Sequence, residues 1–495
     1  MGAKNRKPVL DKDLDKFTLV EHASLHVWKR LAAPVAGALF LILSMIYAGT
    51  YALGHASPLV MIVAAALAAY MAMNIGANDV TNNTGAAVGA RAIGMRQALL
   101  MAAVFEVLGA VIAGSDVTET ISRGIVSPSA LPDSAHVMAV MMAALSAAAL
   151  WINLATWLNA PISTTHSIIG AIIGASLAAS GPAVVHWTVI GQIVASWVAS
   201  PLIGGIMAAG VLFFIEERIL QKEDKIAAAR LWVPVLIAIM SGAFAAYMAL
   251  QFAVRGRFPA DWVAPLGLGF AALGWLLGAP YVKAKSVGLE NRNASLRVLF
   301  QIPLIASSAL LCFAHGANDV SNAIGPLAAI TEAAGMTKTN GEAVPFWALV
   351  IGAFGISAGL LLFGPRLIRL VGEQITKLNP VRSYCVSLSA ALTVLAASWA
   401  GLPVSSTHIA VGSVFGVGFF REWYVNRWRP AAAKPGKEPK PGLSRREEED
   451  SDELRRRLLV RRSHFMTIAG AWMITLPVSG GLGALTFLLF RSLFL

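Results

Sequence analysis

Residues 76–85 read GANDVTNNTG, and residues 316–325 read GANDVSNAIG. Each stretch carries one aspartate and at least two asparagines, and each lies inside a long apolar run. A charge at the centre of a lipid bilayer costs about 2.5–3.5 kcal/mol even on the mildest scale, so a carboxylate there predicts a functional site. Two copies in corresponding places predict one site formed where two halves of the chain meet.

The apolar runs around these motifs identify the class of protein. The chain is 57% hydrophobic and only 13% charged, whereas a soluble globular protein carries about 25% charged residues. Whole windows such as Val137–Thr165 contain no charged residue, and a membrane-spanning helix needs about 20 apolar residues. The sequence therefore predicts an all-α polytopic bundle of transmembrane helices.

The excess of basic residues predicts the orientation of the chain. The formal net charge is +12, and the lysines and arginines concentrate in short segments between apolar runs, which favours membrane topology over nucleic-acid binding. With thirteen apolar segments, these basic segments share one side with the N-terminus. By the positive-inside rule that side is cytoplasmic, and a bacterial inner membrane is the expected location. The two cysteines, Cys312 and Cys385, lie in apolar segments and suggest neither a disulfide framework nor a metal site.

Changes in composition divide the chain. The predicted parts are a cytoplasmic N-terminal tail at 1–30, an extra first span at 31–54, a first transmembrane repeat at 58–214, linker spans and cytoplasmic loops at 215–297, a second repeat at 298–420, a charged cytoplasmic loop at 421–463 and a last span at 464–495. The run at 58–90 is too long for one straight span. Its polar residues predict a broken helix whose unwound backbone is covered by protein or lines a cavity.

A second pair of motifs supports an internal duplication. Residues 161–166 read PISTTH and residues 403–408 read PVSSTH, 242 positions apart, where the first pair is 240 apart. The corresponding apolar segments are seven apart, and an odd number turns the two copies in opposite directions. This pattern predicts inverted-topology repeats, with broken helices or hairpins at the midplane and a substrate site between the halves.

The residue types at these motifs suit a site that binds a cation and an anion together. A proline before a Ser/Thr cluster favours a helix start with hydroxyl N-caps, and hydroxyl and N–H groups at a helix N-terminus bind anions. The aspartates either coordinate hard cations or accept hydrogen bonds from a protonated oxyanion. Moving one negative charge inward against an inside-negative potential costs about 2.3 kcal/mol per 100 mV, which favours a co-transported cation.

At these motifs the chain resembles the inorganic phosphate transporter (PiT) family of symporters. The resemblance rests on GANDVTN at 76–82, FEVLG at 105–109, PISTTH at 161–166, GANDVSN at 316–322 and PVSSTH at 403–408. It implies inverted repeats and phosphate uptake coupled to sodium ions or protons. The phosphate site implied by matching position comprises Asp79, Asn82, Ser163, Thr164, Thr165, Asp319, Asn322, Ser405, Ser406 and Thr407. The implied cation-binding residues are Asn78, Asp79, Asn318, Asp319 and Glu106, with sodium possible at the same residues.

The chain also departs from the family pattern. The span at 31–54 precedes the usual start, Gly355 aligns where a counterpart of Glu106 is expected, and no glutamate lies near Ser387. These differences bear on the coupling ion and its stoichiometry more than on the substrate. Glu106 also fits a structural hydrogen bond, and His166 and His408 fit hydrogen-bonded structural groups as well as proton relays.

Other readings of the same residues stay open. The aspartates could be structural caps, the hydroxyl clusters could serve helix packing, and the 421–463 loop fits a solvated surface as well as a lipid-headgroup site. The substrate could be sulfate, arsenate or a metal–phosphate complex, and a passive anion channel is a further class. An intramembrane aspartyl protease is remote, because duplicated amides and hydroxyls suit coordination better than a catalytic dyad. No enzyme activity, cofactor or nucleic-acid partner is expected; the partners are phosphate, the sodium ion or proton and the lipid bilayer, and a homodimer is compatible with the sequence.

Overall fold

The fold is that of an all-helical membrane protein. The computed structural model describes residues 8–55, 57–127, 130–158, 160, 162–336, 344–374, 379–428 and 462–494. Most of the predicted charged loop, residues 429–461, and residues 1–7 of the predicted tail lie outside these ranges. Residues 8–30, also predicted as tail, are helical and continue into the first span.

Sixteen α-helices make up most of the described chain. They are α1 Pro8–Ala52, α2 Pro58–Gly89, α3 Met95–Ala113, α4 Ser115–Glu119, α5 Ser134–Trp157, α6 Thr164–Ser180, α7 Trp187–Ile215, α8 Lys225–Val254, α9 Val263–Lys285, α10 Asn293–Leu299, α11 Gln301–Asp319, α12 Ser321–Ala333, α13 Phe346–Gln374, α14 Pro380–Trp399, α15 Ser406–Trp428 and α16 Arg462–Phe494. Short π turns at Thr120–Gly124 and Glu216–Leu220 extend α4 and α7.

Ten or eleven of the thirteen predicted apolar segments have the character of complete spans in the described chain. Ten helices of the described chain are long and apolar enough to cross a membrane, and α10 with the bent run α11–α12 can make an eleventh. The remaining two of the thirteen predicted segments are α6 and α15, the helices that follow the hydroxyl motifs. With 17 residues, α6 is about 26 Å long, shorter than a hydrocarbon layer of about 30 Å. Helix α15 has 23 residues but is not among the helices apolar enough to span.

The predicted break at the first GAND motif is wrong. Helix α2 runs without interruption through all 32 residues from Pro58 to Gly89. Its amides find side-chain partners on other helices: Asn82 donates to Thr407, and Asn83 donates to Glu106. The helix can stay intact here, because these partners form the hydrogen bonds that lipid chains cannot offer to Asn82 and Asn83. At the second motif only Val320 separates α11 from α12, and the larger bend of 51° precedes α11.

The hydroxyl motifs begin helices, as predicted. Ser163 is the N-cap of α6 and accepts from the His166 N–H at 3.1 Å. Ser405 plays the same part before α15, accepting from the His408 N–H at 3.3 Å. A side-chain oxygen at this position satisfies one of the N–H groups that a helix start leaves open. Helices α5 and α6, and α14 and α15, therefore form two hairpins whose turns carry the motifs.

Each hairpin packs on a helix from the other half of the chain. A Cβ added at Gly174 of α6 would overlap the Gly480 carbonyl of α16, and one at Gly416 of α15 would overlap the Gly205 carbonyl of α7. Small residues at helix contacts let backbones approach closely inside a membrane. The glycines repeated after each hydroxyl motif thus hold the hairpins against their neighbours.

These contacts predict a strong effect of side-chain size. Gly416→Leu is expected to lower the thermal stability of the purified protein, because overpacking typically costs about 1–3 kcal/mol and here the backbone of α7 must move. Gly210→Leu, on the neighbouring helix α7, is the matched control, since a Cβ there meets nothing within 4 Å. Melting temperatures in detergent measure the difference, and equal values for the two variants would contradict the packing role.

Candidate functional site

The two aspartates occupy equivalent, fully buried positions. Both have no exposed surface. Asp79 Oδ2 accepts from the Thr164 hydroxyl at 3.0 Å, and Asp319 Oδ2 accepts from the Ser406 hydroxyl at 2.8 Å. Thr164 and Ser406 are the same position of the two hairpin helices, so each aspartate is held by the hairpin of its own half.

Other contacts cross between the halves. The Thr407 hydroxyl donates to Asp79 Oδ1 at 3.1 Å and accepts from the Asn82 amide at 2.9 Å. In the reverse sense, the Asn322 amide donates to the Thr165 hydroxyl at 3.2 Å. Residues 157 to 328 positions apart therefore meet, and both hairpins contribute to one place.

The amides before the aspartates brace the site. Asn318 donates to the Ser398 hydroxyl at 3.0 Å and the Leu402 carbonyl at 3.2 Å. The Asn78 amide lies 3.0 Å from the Thr156 hydroxyl. With its oxygen accepting from Thr156, the Asn78 NH₂ group also reaches Asp79 Oδ1 at 3.2 Å. Thr156 and Ser398 are again equivalent positions, now at the ends of α5 and α14.

Not every predicted residue meets the aspartates directly. Ser163 and Ser405 use their hydroxyls as N-caps. His166 and His408 form a separate aromatic layer, with ring centres 4.6 Å apart. His166 lies on Trp197 and His408 on Trp472, at 3.7 and 3.6 Å. This stacked arrangement favours the structural reading of the histidines over a proton relay.

His315 is a site residue that sequence reasoning missed. It is fully buried, with Nε2 2.9 Å from Asp319 Oδ2 and 3.6 Å from Asp79 Oδ2, and Nδ1 3.2 Å from Glu106 Oε1. All three nitrogen–oxygen distances lie within the range of an ion pair, but neither ring nitrogen of His315 has the geometry of a hydrogen bond. The sequence feature that could have identified His315 is its position four residues before Asp319, because this spacing puts both side chains on one face of α11.

Glu106 is a site residue of the first half that has no acidic counterpart in the second half. It accepts from the Asn83 amide at 2.8 Å and faces His315. Its main-chain carbonyl packs where Gly316 has no side chain, just as that of Ile356 packs against Gly76. The counterpart of Glu106 in the second half is therefore Ile356, one residue from the predicted Gly355.

Several buried oxygens at the site lack a hydrogen-bond donor among the described residues. They are Asn83 Oδ1, Glu106 Oε2, Asn318 Oδ1, Asp319 Oδ1 and Asn322 Oδ1. Buried polar groups in proteins are nearly always paired, and carboxylate and amide oxygens are the ligands that hard cations prefer. One ligand atom from each of Asp79, His315 and Asp319 also lies within 4.8 Å of the others. The donor set fits a small cation.

Comparison with known proteins identifies the family of the chain. The sequence matches the family model described as the phosphate transporter family over residues 75–483. A protein of Helicobacter pylori (strain J99), named "Putative phosphate permease", is 41% identical across 94% of this chain and 96% of its own length. A protein of Pyrococcus abyssi (strain GE5) described in the same words is 37% identical over 71% of this chain and 86% of its own length.

A solved structure shares the fold. It is described as a sodium-dependent phosphate transporter and superposes with a TM-score of 0.76 at 32% identity, covering 88% of this chain and 99% of its own. The family comprises transporters and not enzymes, which removes the aspartyl protease reading of the paired carboxylates. The resemblance inferred from the GAND and hydroxyl motifs is confirmed, and the chain belongs to the phosphate transporter family.

Proposed function

We propose that the protein imports inorganic phosphate by symport with a cation, through alternating access between two inverted repeats. The observation that carries the proposal is the pair of crossing contacts, Thr407 with Asp79 and Asn82, and Thr165 with Asn322. A substrate site at the interface of two repeats can change its exposure when one repeat moves against the other.

The chemistry of the site suits a protonated phosphate. Hydroxyls in the first turns of α6 and α15 and the amides of Asn82 and Asn322 are donors for phosphate oxygens, and the helix N-termini favour a negative charge. The carboxylates of Asp79 and Asp319 can accept from the hydroxyl groups of dihydrogen phosphate. Sulfate has no such hydrogens near neutral pH, so the aspartates favour phosphate over sulfate.

Sodium is the favoured coupling ion. The structural relative is described as sodium-dependent, and the unpartnered oxygens of Asn318, Asp319 and Asn322 supply oxygen ligands in one place. The inward movement of phosphate against the membrane potential gains from each cation that moves with it. Coupling to protons is the second candidate, since buried carboxylates also bind protons.

Repetition of contacts supports the inverted halves. The pairs Thr164–Asp79 and Ser406–Asp319 recur, as do Asn78–Thr156 and Asn318–Ser398. The proposed setting is a bacterial cytoplasmic membrane with the N-terminus inside, because the basic segments lie on that side in the predicted topology.

Thr407→Val tests the crossing hydroxyl. Losing a hydrogen bond to a charged group costs about 1.5–3 kcal/mol, so the apparent KM for phosphate is expected to rise at least about tenfold with little change in expression. Thr331→Val is the control, because that buried hydroxyl bonds the Ala328 carbonyl of its own helix. An unchanged KM for Thr407→Val would remove Thr407 from the binding site.

Radiolabelled phosphate uptake into proteoliposomes tests the function itself. Inward gradients of sodium or of protons are imposed separately, with excess sulfate as competitor. The proposal expects accumulation driven by the sodium gradient, saturating with phosphate and resistant to sulfate. Flux that does not saturate would indicate a channel, and no accumulation under either gradient would overturn phosphate symport.

A further inference from the structure

A cavity of about 950 Å³ lies beside the first motif, between α1, α2, α5 and α13. Most of its lining is apolar, but Tyr70, Asn74, Asn153 and Thr156 also face it. Ala77 lines it as well, so the cavity reaches the residue before Asn78. It lies outside the group of side chains that meet at the aspartates.

The polar lining indicates that water enters this cavity. Asn153 is exposed although it lies within the apolar helix α5, and its amide donates to Asn74 Oδ1 at 3.0 Å. The Asn74 side chain is buried and donates in turn to the Tyr70 carbonyl at 2.8 Å. Lipid chains cannot satisfy an exposed amide at membrane depth, and such groups face water or protein instead.

A continuous row of polar side chains connects the cavity to the site. Thr156 follows Asn153 by about one turn on α5, and Asn78 follows Asn74 by about one turn on α2. Asn153 contacts Asn74, and Thr156 contacts Asn78. We call Asn74, Asn78, Asn153 and Thr156 the polar track. The track ends beside Asp79, whose Oδ1 lies 3.2 Å from the Asn78 amide.

The second half differs from the first at the positions that correspond to these asparagines. The positions that correspond to Asn74 and Asn153 are Ala314 and Leu395, and both are buried. The hairpin turn there is covered, since Thr120 donates to the Gly401 carbonyl at 2.7 Å. The row of polar groups that leads to the site from the first half therefore has no counterpart at these two positions of the second half.

The cavity lies in one half of the membrane. On α1 it contacts Pro34 and Leu41, which belong to the first half of the span Leu31–Ala52. The basic residues Lys29 and Arg30 precede this span, and Arg91 follows α2. The cavity thus faces the side that carries the basic segments.

We propose that this cavity is the aqueous pathway between the site and the side of the basic segments, and that α1 separates it from the lipid. The match to the family model begins at residue 75, after the end of α1. One wall of the proposed pathway therefore comes from a helix outside the matched region. That phosphate and its cation use the pathway rests on the proposed function. The conformation is then open on one side and closed at the α14–α15 turn.

Cysteine labelling tests water access without requiring transport. Asn153→Cys in sealed membrane vesicles of both orientations is treated with a charged, membrane-impermeant methanethiosulfonate. Leu154→Cys is the matched control, because Leu154 is 45% exposed but does not line the cavity. The unmodified protein gives the background, since Cys312 and Cys385 are buried.

Asn153→Cys is expected to react at least about tenfold faster than Leu154→Cys, and only from the side of the basic segments, because thiolate formation needs water. Equal slow rates, or reaction from the opposite side alone, would overturn the proposal. A protein that labels as expected but carries no phosphate would refute the proposed function and leave the pathway standing.

A substitution on α1 tests its role as the cavity wall. Ala38→Trp places a bulky ring in the cavity and is expected to slow phosphate uptake at least about tenfold, because displaced water and a narrowed path hinder passage. Leu39→Trp is the control, as Leu39 is 55% exposed and lies outside the lining. Phosphate binding by the Ala38→Trp protein should persist in detergent. Equal uptake by both variants would contradict the assignment of α1.

Discussion

Asp79→Asn and Asp319→Asn are each expected to abolish phosphate uptake while leaving a folded, membrane-inserted protein. Both carboxylates are fully buried and accept hydroxyl hydrogen bonds from the hairpins. An amide keeps the shape but loses the charge that would balance a bound cation. A charge-assisted hydrogen bond is worth about 1.5–3 kcal/mol. The amide at position 79 keeps one accepting oxygen, so one hydroxyl hydrogen bond is lost and the other loses its charge, which corresponds to a fall in rate of at least about tenfold in addition to the loss of cation binding.

The control for these variants is Asp261→Asn, an exposed aspartate in the short 3₁₀ turn before α9. It should transport at the rate of the unchanged protein. Size-exclusion profiles and melting temperatures verify that all three variants are folded. Near-normal uptake by both Asp79→Asn and Asp319→Asn would exclude the aspartates from the transport site.

His315→Leu is expected to reduce the yield of folded protein sharply and to eliminate uptake. Among the described residues, His315 is the basic side chain within ion-pair distance of Asp79, Asp319 and Glu106. Removing one partner of a buried ion pair typically costs about 3–5 kcal/mol, which is a large part of a total stability of about 5–15 kcal/mol. Detergent-solubilised yield and melting temperature measure the loss.

A compensating variant separates stability from transport. At each of these three positions one half of the chain carries a polar residue and the other an apolar one. Ile75 of the first half corresponds to His315, and Ile356 and Ala323 of the second half correspond to Glu106 and Asn83. The triple change His315→Ile, Glu106→Ile and Asn83→Ala removes one of the three carboxylates together with the histidine, so it is expected to regain part of the folded protein that His315→Leu loses and still fail to transport. Normal stability and uptake of His315→Leu alone would show that the carboxylates do not depend on this histidine.

Duplication made much of the site predictable. Two motifs repeated at nearly one spacing predicted that Asp79 and Asp319 meet, and the structure brings both into contact with the hairpin hydroxyls. The serines before each helix were predictable as N-caps because that role depends only on local sequence. Residues that occur in both copies thus carried the strongest signal.

Features without a second copy were harder to find. His315 has Ile75 as its counterpart, so the repeat gave it no emphasis, and its three carboxylate neighbours come from three helices. The continuity of α2 could not be predicted either, because the partners of Asn82 and Asn83 lie on α15 and α3. Contacts between distant segments determine whether a polar residue breaks a helix or is satisfied within it.

In the described part of the chain, the hairpin helices α6 and α15 do not have the character of complete spans. By periodicity alone, α6 and α15 look like membrane helices, yet their first turns carry the hydroxyls that reach Asp79 and Asp319. Glycines recur after both hydroxyl motifs, but the helix that each set contacts, α16 for α6 and α7 for α15, follows only from the packed structure. Sequence spacing places residues on a face and does not say which helix that face meets.

The central claim is that phosphate and a cation share one site built from both halves. Equilibrium binding to the purified protein tests it most directly, with the Kd for phosphate measured across sodium concentrations and the Kd for sodium measured across phosphate concentrations. Linkage requires the two effects to be equal, and we expect each ligand to tighten the other at least about tenfold, corresponding to about 1.4 kcal/mol. Asp319→Asn should abolish this coupling. Phosphate binding that is independent of both sodium and pH would contradict the shared site.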